Sequence, residues 1–180
     1  MDDMLPTLRK RLQDMTELFV DDHPSVLLEI GIDHPTTIIV LASATPIQRY
    51  TCILHALDLT EHPDYIEVAG SNWGKLFAGA EFAKWLVASQ RLDEIELQNA
   101  TAGSLVFYFA QNDFQHVGIF SGDDRVISKW GTGHLYGHQL LEVPASYGQE
   151  LRCYKRPDAE QSMFLFLEFL DENAERLLNS

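Results

Sequence analysis

A cysteine and a histidine in this sequence have the residue types and local settings of a nucleophilic pair. Cys52 follows Thr51, which can cap a helix, and Cys52–Leu59 has the composition of a helix. A thiol at a helix N-terminus meets the positive end of the backbone dipole and free N–H groups, which favour the thiolate and can stabilise an oxyanion. His116, packed beside it from a sheet, would complete a thiolate–imidazolium pair. We therefore expect the pKa of Cys52 to lie below that of a free thiol.

His116 is positioned by a short predicted hairpin. It starts an apolar strand that continues through Val117–Phe120, and the sequence Ser121-Gly-Asp-Asp124 supplies the turn. The preceding segment, Ala102–Phe109, is an almost unbroken apolar run, which suits a strand covered on both faces. The histidine therefore lies at the mouth of a buried strand, where a docked helix can bring Cys52 to it.

Three segments resemble the NlpC-type papain-like cysteine peptidases: Gly103-Ser-Leu-Val-Phe-Tyr-Phe109, His116-Val-Gly-Ile-Phe120 and Gly122-Asp-Asp-Arg-Val-Ile127. That family reads Gly-Asp-Leu-Val-Phe-Phe, then His-Val-Gly-Ile-Tyr, then a Gly-Asp/Asn-Gly turn and a second strand. The resemblance runs from Tyr50 to Tyr154. It implies that Cys52 is the nucleophile and that His116 is its partner. It also implies that Ser128 takes the third position, commonly a histidine, which orients the first histidine.

The chain departs from the family pattern at two of these positions. It reads Thr51-Cys-Ile-Leu54 where the family often has Asp-Cys-Ser-Gly, and a serine at position 128 carries no charge with which to orient an imidazole. Two functions follow. The first is a cysteine hydrolase of peptidase or amidase type that acts on a peptide or small amide and needs no cofactor. The alternative is a binding module that keeps the papain-like fold without turnover.

His134 and His138 raise the alternative of a metal site. The glycines around them argue against the helix that would align them, and no cysteine or carboxylate pair completes a site, so we expect no metal. We interpret the segment instead as a loop over the cleft. His55 lies three residues after Cys52 and is a rival partner for it, although packing is the simpler role. Cys153 lies in the middle of a predicted strand and is expected to be inert.

Composition limits the class of protein. The chain of 180 residues suits one domain, and its net charge of −14 argues against nucleic acid or anionic membrane as the main partner, because both need clustered basic residues. Two cysteines are too few for a disulfide framework. The N-terminus is acidic where a signal peptide is basic, and no segment approaches the ~20 apolar residues of a transmembrane helix. We therefore expect a cytoplasmic protein.

The order of elements predicts an α+β fold in which N-terminal helices pack on an antiparallel sheet and a C-terminal helix follows. Val26–Ile32 and Thr37–Leu41 are β-rich runs that form either a hairpin or, at Val26–Ile30, a second helix. Ile66–Ser71 has no clear pattern and ends in a loop, Gly70–Gly74. The remaining predictions are helices at Leu5–Val20, Phe77–Gln90 and Asp158–Leu178, a connection or short strand at Leu92–Gln98, and strands at Ser104–Phe109, Gln115–Phe120, Arg125–Trp130, Gln139–Val143 and Glu150–Tyr154.

A single domain, residues 1–180, is predicted in three parts: an N-terminal extension over 1–45, a cysteine-hydrolase-like core over 46–156 and a C-terminal helix over 157–180. That helix has a broad apolar side and a strongly acidic exposed side. It is either deeply docked or part of an interface, and a homo-oligomer formed through it is the assembly to test.

Overall fold

A computed structural model of the chain describes residues 4–70 and 78–178, with side chains for all of these except Gln48 and residues 175–178. Short 3-10 turns, among them Ala145–Tyr147, connect the regular elements. The helices are α1 (Met4–Thr16), α2 (His23–Asp33), α3 (Cys52–Ala56), α4 (Pro63–Gly70), α5 (Ala80–Ala88) and α6 (Ala159–Leu178), and the strands are β1 (Ile39–Leu41), β2 (Glu94–Ile95), β3 (Leu105–Ala110), β4 (Asp113–Gly122), β5 (Arg125–Lys129), β6 (Leu135–Gln139) and β7 (Glu150–Tyr154).

The strands form one sheet in the order β1-β6-β5-β4-β3-β7-β2, and all neighbours are antiparallel. The prediction of an α+β fold built on an antiparallel sheet is therefore confirmed. Strands β3 to β6 form a meander, in which each strand pairs with the next. The connection after β6 then crosses back past β5 and β4, so that β7 pairs with β3. The connection that makes this crossing contains the 3-10 turn Ala145–Tyr147, which becomes important at the candidate site.

Each face of the sheet is covered by its own group of helices. Because side chains alternate along a strand, Leu105 and Phe107 of β3 pack with α3, α4, α5 and α6, whereas Val106 and Tyr108 pack with α1 and α2. This double coverage explains the unbroken apolar run in β3. We refer below to the α3 face and the α1 face of the sheet.

The N-terminal residues form part of the same core. The helical alternative for Val26–Ile30 is correct and the hairpin is wrong, because Pro24 lies in the first turn of α2 and Leu27 and Ile30 are buried on one side of it. The β-rich run Thr37–Leu41 contains β1, which pairs with β6 at the edge of the sheet.

The described residues that precede the helix predicted at Phe77–Gln90 are also helical. Pro63 begins α4 and does not merely end the preceding segment, since its missing N–H is tolerated in a first helical turn. The prediction of an irregular segment over Ile66–Ser71 is therefore wrong as far as Gly70. The rest of the predicted loop, and the first residue of the helix predicted at Phe77–Gln90, lie outside the described residues.

The fourth strand of the meander was misplaced by the sequence analysis. It is Leu135–Gln139, not Gln139–Val143, so the loop expected over the cleft is largely a buried strand. The glycines of this segment favour a loop when the sequence is considered alone. A Cβ atom at Gly137 would come within 3.1 Å of Ile39 of β1, so this glycine marks the close approach of a neighbouring strand.

Helix α6 is docked on the α3 face through Met163, Phe166 and Phe169. Its residues Phe164 and Leu167 remain 63% and 44% exposed, respectively. Self-association through this helix stays a prediction. Within residues 4–70 and 78–178, none of the helices is long and apolar enough to cross a membrane.

Candidate functional site

Cys52 is the first residue of α3, as the sequence predicted. The side chain of Thr51 caps the helix by accepting a hydrogen bond from the Leu54 N–H at 3.3 Å and donates one to the Ala78 carbonyl at 3.1 Å. Ile53 and Leu54 of the short helix are buried in the core on the α3 face. The cap and this packing together fix the start of α3 against the sheet.

The thiol of Cys52 lies near the backbone of Val117 in β4, the residue directly after His116. The N–H groups of Val117, Ile53 and Cys52 itself, together with the charge of Lys129, favour the thiolate. Burial opposes them and dominates, so the pKa of Cys52 is raised above its usual value. The expectation of a lowered pKa is therefore wrong, because it considered the helix terminus and not the burial of the thiol.

His116 is fully buried and its ring lies flat on Tyr147, with ring centroids 4.0 Å apart and an interplanar angle of 19°. It pairs in register with Tyr108, so its side chain belongs to the α1 face, while Val117 points to the α3 face. Burial, and then the charge of His138, lower the pKa of His116 well below its usual value. At neutral pH the ring is neutral. Its Nε2 atom has no hydrogen-bond partner within the described chain, and no hydrogen bond joins this ring to the thiol of Cys52.

Ser128 contacts a different histidine from the one expected. Its hydroxyl donates to Nε2 of His138 at 2.8 Å and accepts the indole N–H of Trp130 at 3.0 Å. Nδ1 of His138 donates to the Gln139 carbonyl at 2.8 Å, which fixes the tautomer and leaves Nε2 as the acceptor. Because the single proton of the hydroxyl is engaged by His138, Ser128 cannot donate to His116.

His138 and Tyr147 lie at the site in roles that the sequence did not indicate. The charge of His138 acts on His116, and the ring of Tyr147 stacks on it. A Cys52 thiolate would raise the pKa of Tyr147 further, so Tyr147 lies near both members of the expected pair. Neither residue has a signal in the local sequence, since β6 and the 3-10 turn reach the site only through the sheet topology.

The N-terminal helix holds the turn that carries Tyr147. The guanidinium of Arg9 is buried and donates to the carbonyls of Val143 at 3.2 Å, Pro144 at 3.3 Å and Gly148. Gly148 has a φ of 82°, a conformation that other residues rarely adopt, and its backbone packs closely on Phe109. Helix α1 therefore fixes the turn against which His116 rests.

Lys129 is a second charged group close to Cys52. It is fully buried, and its ammonium donates to the carbonyls of Gly131 at 2.9 Å and Gly133 at 2.6 Å. The same nitrogen lies 5.1 Å from the centroid of the Tyr50 ring. Burial lowers the pKa of Lys129 to about 8, and the charge of Cys52 acts against this shift.

The remaining candidates lie at the margin of this site. His55 contacts Tyr50, with ring centroids 6.1 Å apart, and burial lowers its pKa. Cys153 is free and buried on the α1 face, opposite to Cys52. Nε2 of His134 donates a hydrogen bond to the Val20 carbonyl at 3.1 Å. Within the described residues, no group of three or more potential ligands could hold a metal ion.

A pocket of about 210 Å³ opens beside Tyr50 and His55, and Ser43, Thr60 and Glu61 also line it. A larger pocket of about 540 Å³ shares Thr60 and Glu61 with it and extends to α4. The segment that leads into Cys52 thus borders open space large enough for a small ligand.

No protein-family model matches this chain, and neither a curated protein nor a solved structure matches it.

Proposed function

We propose that this chain is a cysteine hydrolase with a papain-like fold, in which Cys52 is the nucleophile and His116 is the acid–base group. One observation carries the proposal: helix α3, whose capped first residue is Cys52, packs directly on β4, where the N–H of Val117, the residue next to His116, favours the Cys52 thiolate. This docking brings the thiol next to the strand that bears the histidine. The two side chains start on opposite faces of the sheet, so the proposed reaction requires the imidazole to turn towards the thiol. The resemblance of the β3–β4–β5 segments to the NlpC-type peptidases supports the same assignment.

The shifted pKa values favour a neutral resting pair, with a thiol and an uncharged imidazole. In this mechanism His116 accepts the proton of Cys52 as sulfur attacks the substrate carbonyl, so the ion pair forms only during the reaction. Backbone N–H groups at the start of α3 stabilise the oxyanion. His116 then protonates the leaving amine, and a water molecule hydrolyses the thioester to restore the thiol.

Orientation of His116 is assigned to two groups in this proposal. Tyr147 holds the ring by stacking, and Ser128 acts indirectly by fixing the nearby His138, which is uncharged at neutral pH. The proposed substrate is a peptide or small amide, for which the pocket beside Tyr50 and the larger pocket that shares Thr60 and Glu61 with it offer space. No cofactor is required by this chemistry.

The test is turnover by single and double variants, with a substrate found by screening peptide and amide libraries. Cys52→Ala and His116→Ala should each remove nearly all activity, and the double variant should lose little more, because the two groups act as a unit. Cys153→Ala is the matched control and should keep activity. Full turnover by a folded Cys52→Ala variant would refute the proposal.

A second candidate function is a binding module without turnover. It is favoured by the raised pKa of Cys52 and by the absence of a hydrogen bond between this thiol and His116 among the described contacts. A panel of thiol-reactive amide probes separates the two functions. Selective labelling of Cys52 over Cys153 supports the hydrolase, whereas equal labelling, with a lower melting temperature as the sole effect of Cys52→Ala, supports the binding module.

A further inference from the structure

A buried ammonium with no carboxylate partner lies on the same side of the sheet as Cys52. Lys129 is fully buried, and its two hydrogen-bond acceptors are uncharged carbonyls. The ammonium also lies over the face of the Tyr50 ring. No carboxylate in residues 4–70 or 78–174 forms an ion pair with it. A buried cation that lacks an anion is costly, so its presence needs a specific explanation.

The sheet register brings this ammonium to the thiol. Ile119 pairs with Ile127, so Lys129, two residues beyond Ile127, lies level with Val117, two residues before Ile119. Val117 points to the α3 face, and helix α3, which begins at Cys52, contacts both β4 and β5. Lys129 is therefore on the same face, and the charges of Lys129 and Cys52 act on each other.

We propose that Lys129 is a positioning residue for Cys52, whose buried ammonium supplies the counter-charge of the Cys52 thiolate. The carbonyls of Gly131 and Gly133 and the Tyr50 ring hold the ammonium in place without neutralising it. The role of this pairing in catalysis rests on the proposed function. The electrostatic pairing itself is independent of turnover.

The other titratable groups around this pair do not offer the missing negative charge at neutral pH. Burial lowers the pKa of His55 of α3, and the charge of Lys129 also lowers it, so this histidine is neutral at neutral pH. Tyr147, on the 3-10 turn, is near Cys52, and burial raises its pKa, so it stays protonated. Neutral His116 lies on the strand next to Lys129. Among the described residues, Cys52 is the group whose ionisation would place a negative charge near Lys129, and it rests as a thiol until it ionises.

The experiment measures alkylation of Cys52 by iodoacetamide as a function of pH, with the modified residue identified by peptide mapping. Lys129→Met has a similar length and removes the charge. We expect its Cys52 alkylation at neutral pH to fall roughly tenfold, the change in thiolate that one pKa unit produces, and the profile to move to higher pH. Lys129→Arg keeps the charge and should stay within about threefold of the wild type.

Two controls keep the result interpretable. Lys155→Met removes an exposed lysine that pairs with Asp93, and should leave the profile unchanged. Lys129→Gln retains a donor for the two glycine carbonyls, so it replaces Lys129→Met should that variant not fold.

A folded Lys129→Met or Lys129→Gln variant whose alkylation profile superimposes on the wild type overturns the inference. Because the readout needs no substrate, its failure is distinct from failure of the proposed function. A shifted profile with no turnover would retain the pairing and refute the hydrolase, and an unshifted profile with Cys52-dependent turnover would do the reverse.

Discussion

The hydroxyl of Ser128 serves two buried neighbours at once, His138 and Trp130. Ser128→Ala should destabilise the fold by about 1–3 kcal/mol, because both partners would be left buried without their hydrogen bond. Denaturant unfolding gives this free energy. Ser121→Ala, an exposed serine on β4, should change it by less than about 0.5 kcal/mol. Equal effects of the two substitutions would contradict the role assigned to the Ser128 hydroxyl.

His138 makes stability depend on pH. Burial lowers its pKa from 6.5 to about 4, so between these values the unfolded chain binds a proton that the folded chain does not. Stability should therefore be full at pH 7, fall as the pH drops from 6.5 towards 4, and lose about 3 kcal/mol through this group. Urea unfolding at several pH values tests this. In His138→Gln the loss over the same range should shrink, and an unchanged pH slope would exclude His138 as its source.

Two glycines should respond in opposite ways to the same substitution. A Cβ at Gly118 would lie 2.4 Å from Val126 and 2.8 Å from Ser128, so Gly118→Ala should cost about 1–3 kcal/mol through overpacking. Gly31 lies in α2 with nothing within 4 Å of its added Cβ, so Gly31→Ala should stabilise by about 0.5–1 kcal/mol. The comparison requires only two melting curves, and a stable Gly118→Ala variant would contradict the close packing of β4 on β5.

At the residue scale, the sequence could identify Cys52 as the first residue of a helix and His116 as part of a hairpin, because caps and turns are local signals. It could not give the direction of the Cys52 pKa, which depends on burial by distant elements. It could not give the partner of Ser128 either, since His138 reaches it from a strand that the sequence analysis had misplaced.

Helix α1 acts on the site as an element through one side chain. Arg9→Met should cost about 3 kcal/mol, because three carbonyls of the turn that carries Tyr147 lose a charged donor. Unfolding measurements provide the value. Arg11→Met, on the same helix, removes an exposed ion pair with Asp33 and should cost less than about 1 kcal/mol. Similar costs for both arginines would show that Arg9 does not anchor the turn.

Elements with strong local patterns were predictable, and those defined by their neighbours were not. The helices at α1 and α6 follow from apolar spacing. The β-branched and aliphatic residues of α2 are compatible with either structure, and its packing under the sheet decides the outcome. Strand β6 contains one glycine, Gly137, which is explained by the close approach of β1, so no local pattern could have located the strand.

The whole molecule should unfold as one unit, because a single sheet carries both cores. Leu12 of α1 is fully buried, and Leu12→Ala should cost about 2–5 kcal/mol. Far-UV circular dichroism and tryptophan fluorescence should still report a single, coincident transition. Leu5→Ala, at a more exposed position of α1, is the control and should have a small effect. Separate transitions would mean that α1 and α2 melt independently of the sheet.

The two outermost strands, β1 and β2, are the shortest in the sheet, with three and two residues. Just before β1, the backbone of Thr37 is already engaged, since its N–H donates to Glu142 and its carbonyl accepts from Arg125. A neighbouring molecule could therefore form only a few ladder hydrogen bonds at either edge, which protects the sheet from edge-to-edge aggregation. Substitutions that lengthen β1 or free Thr37 would remove this protection and favour insoluble aggregates.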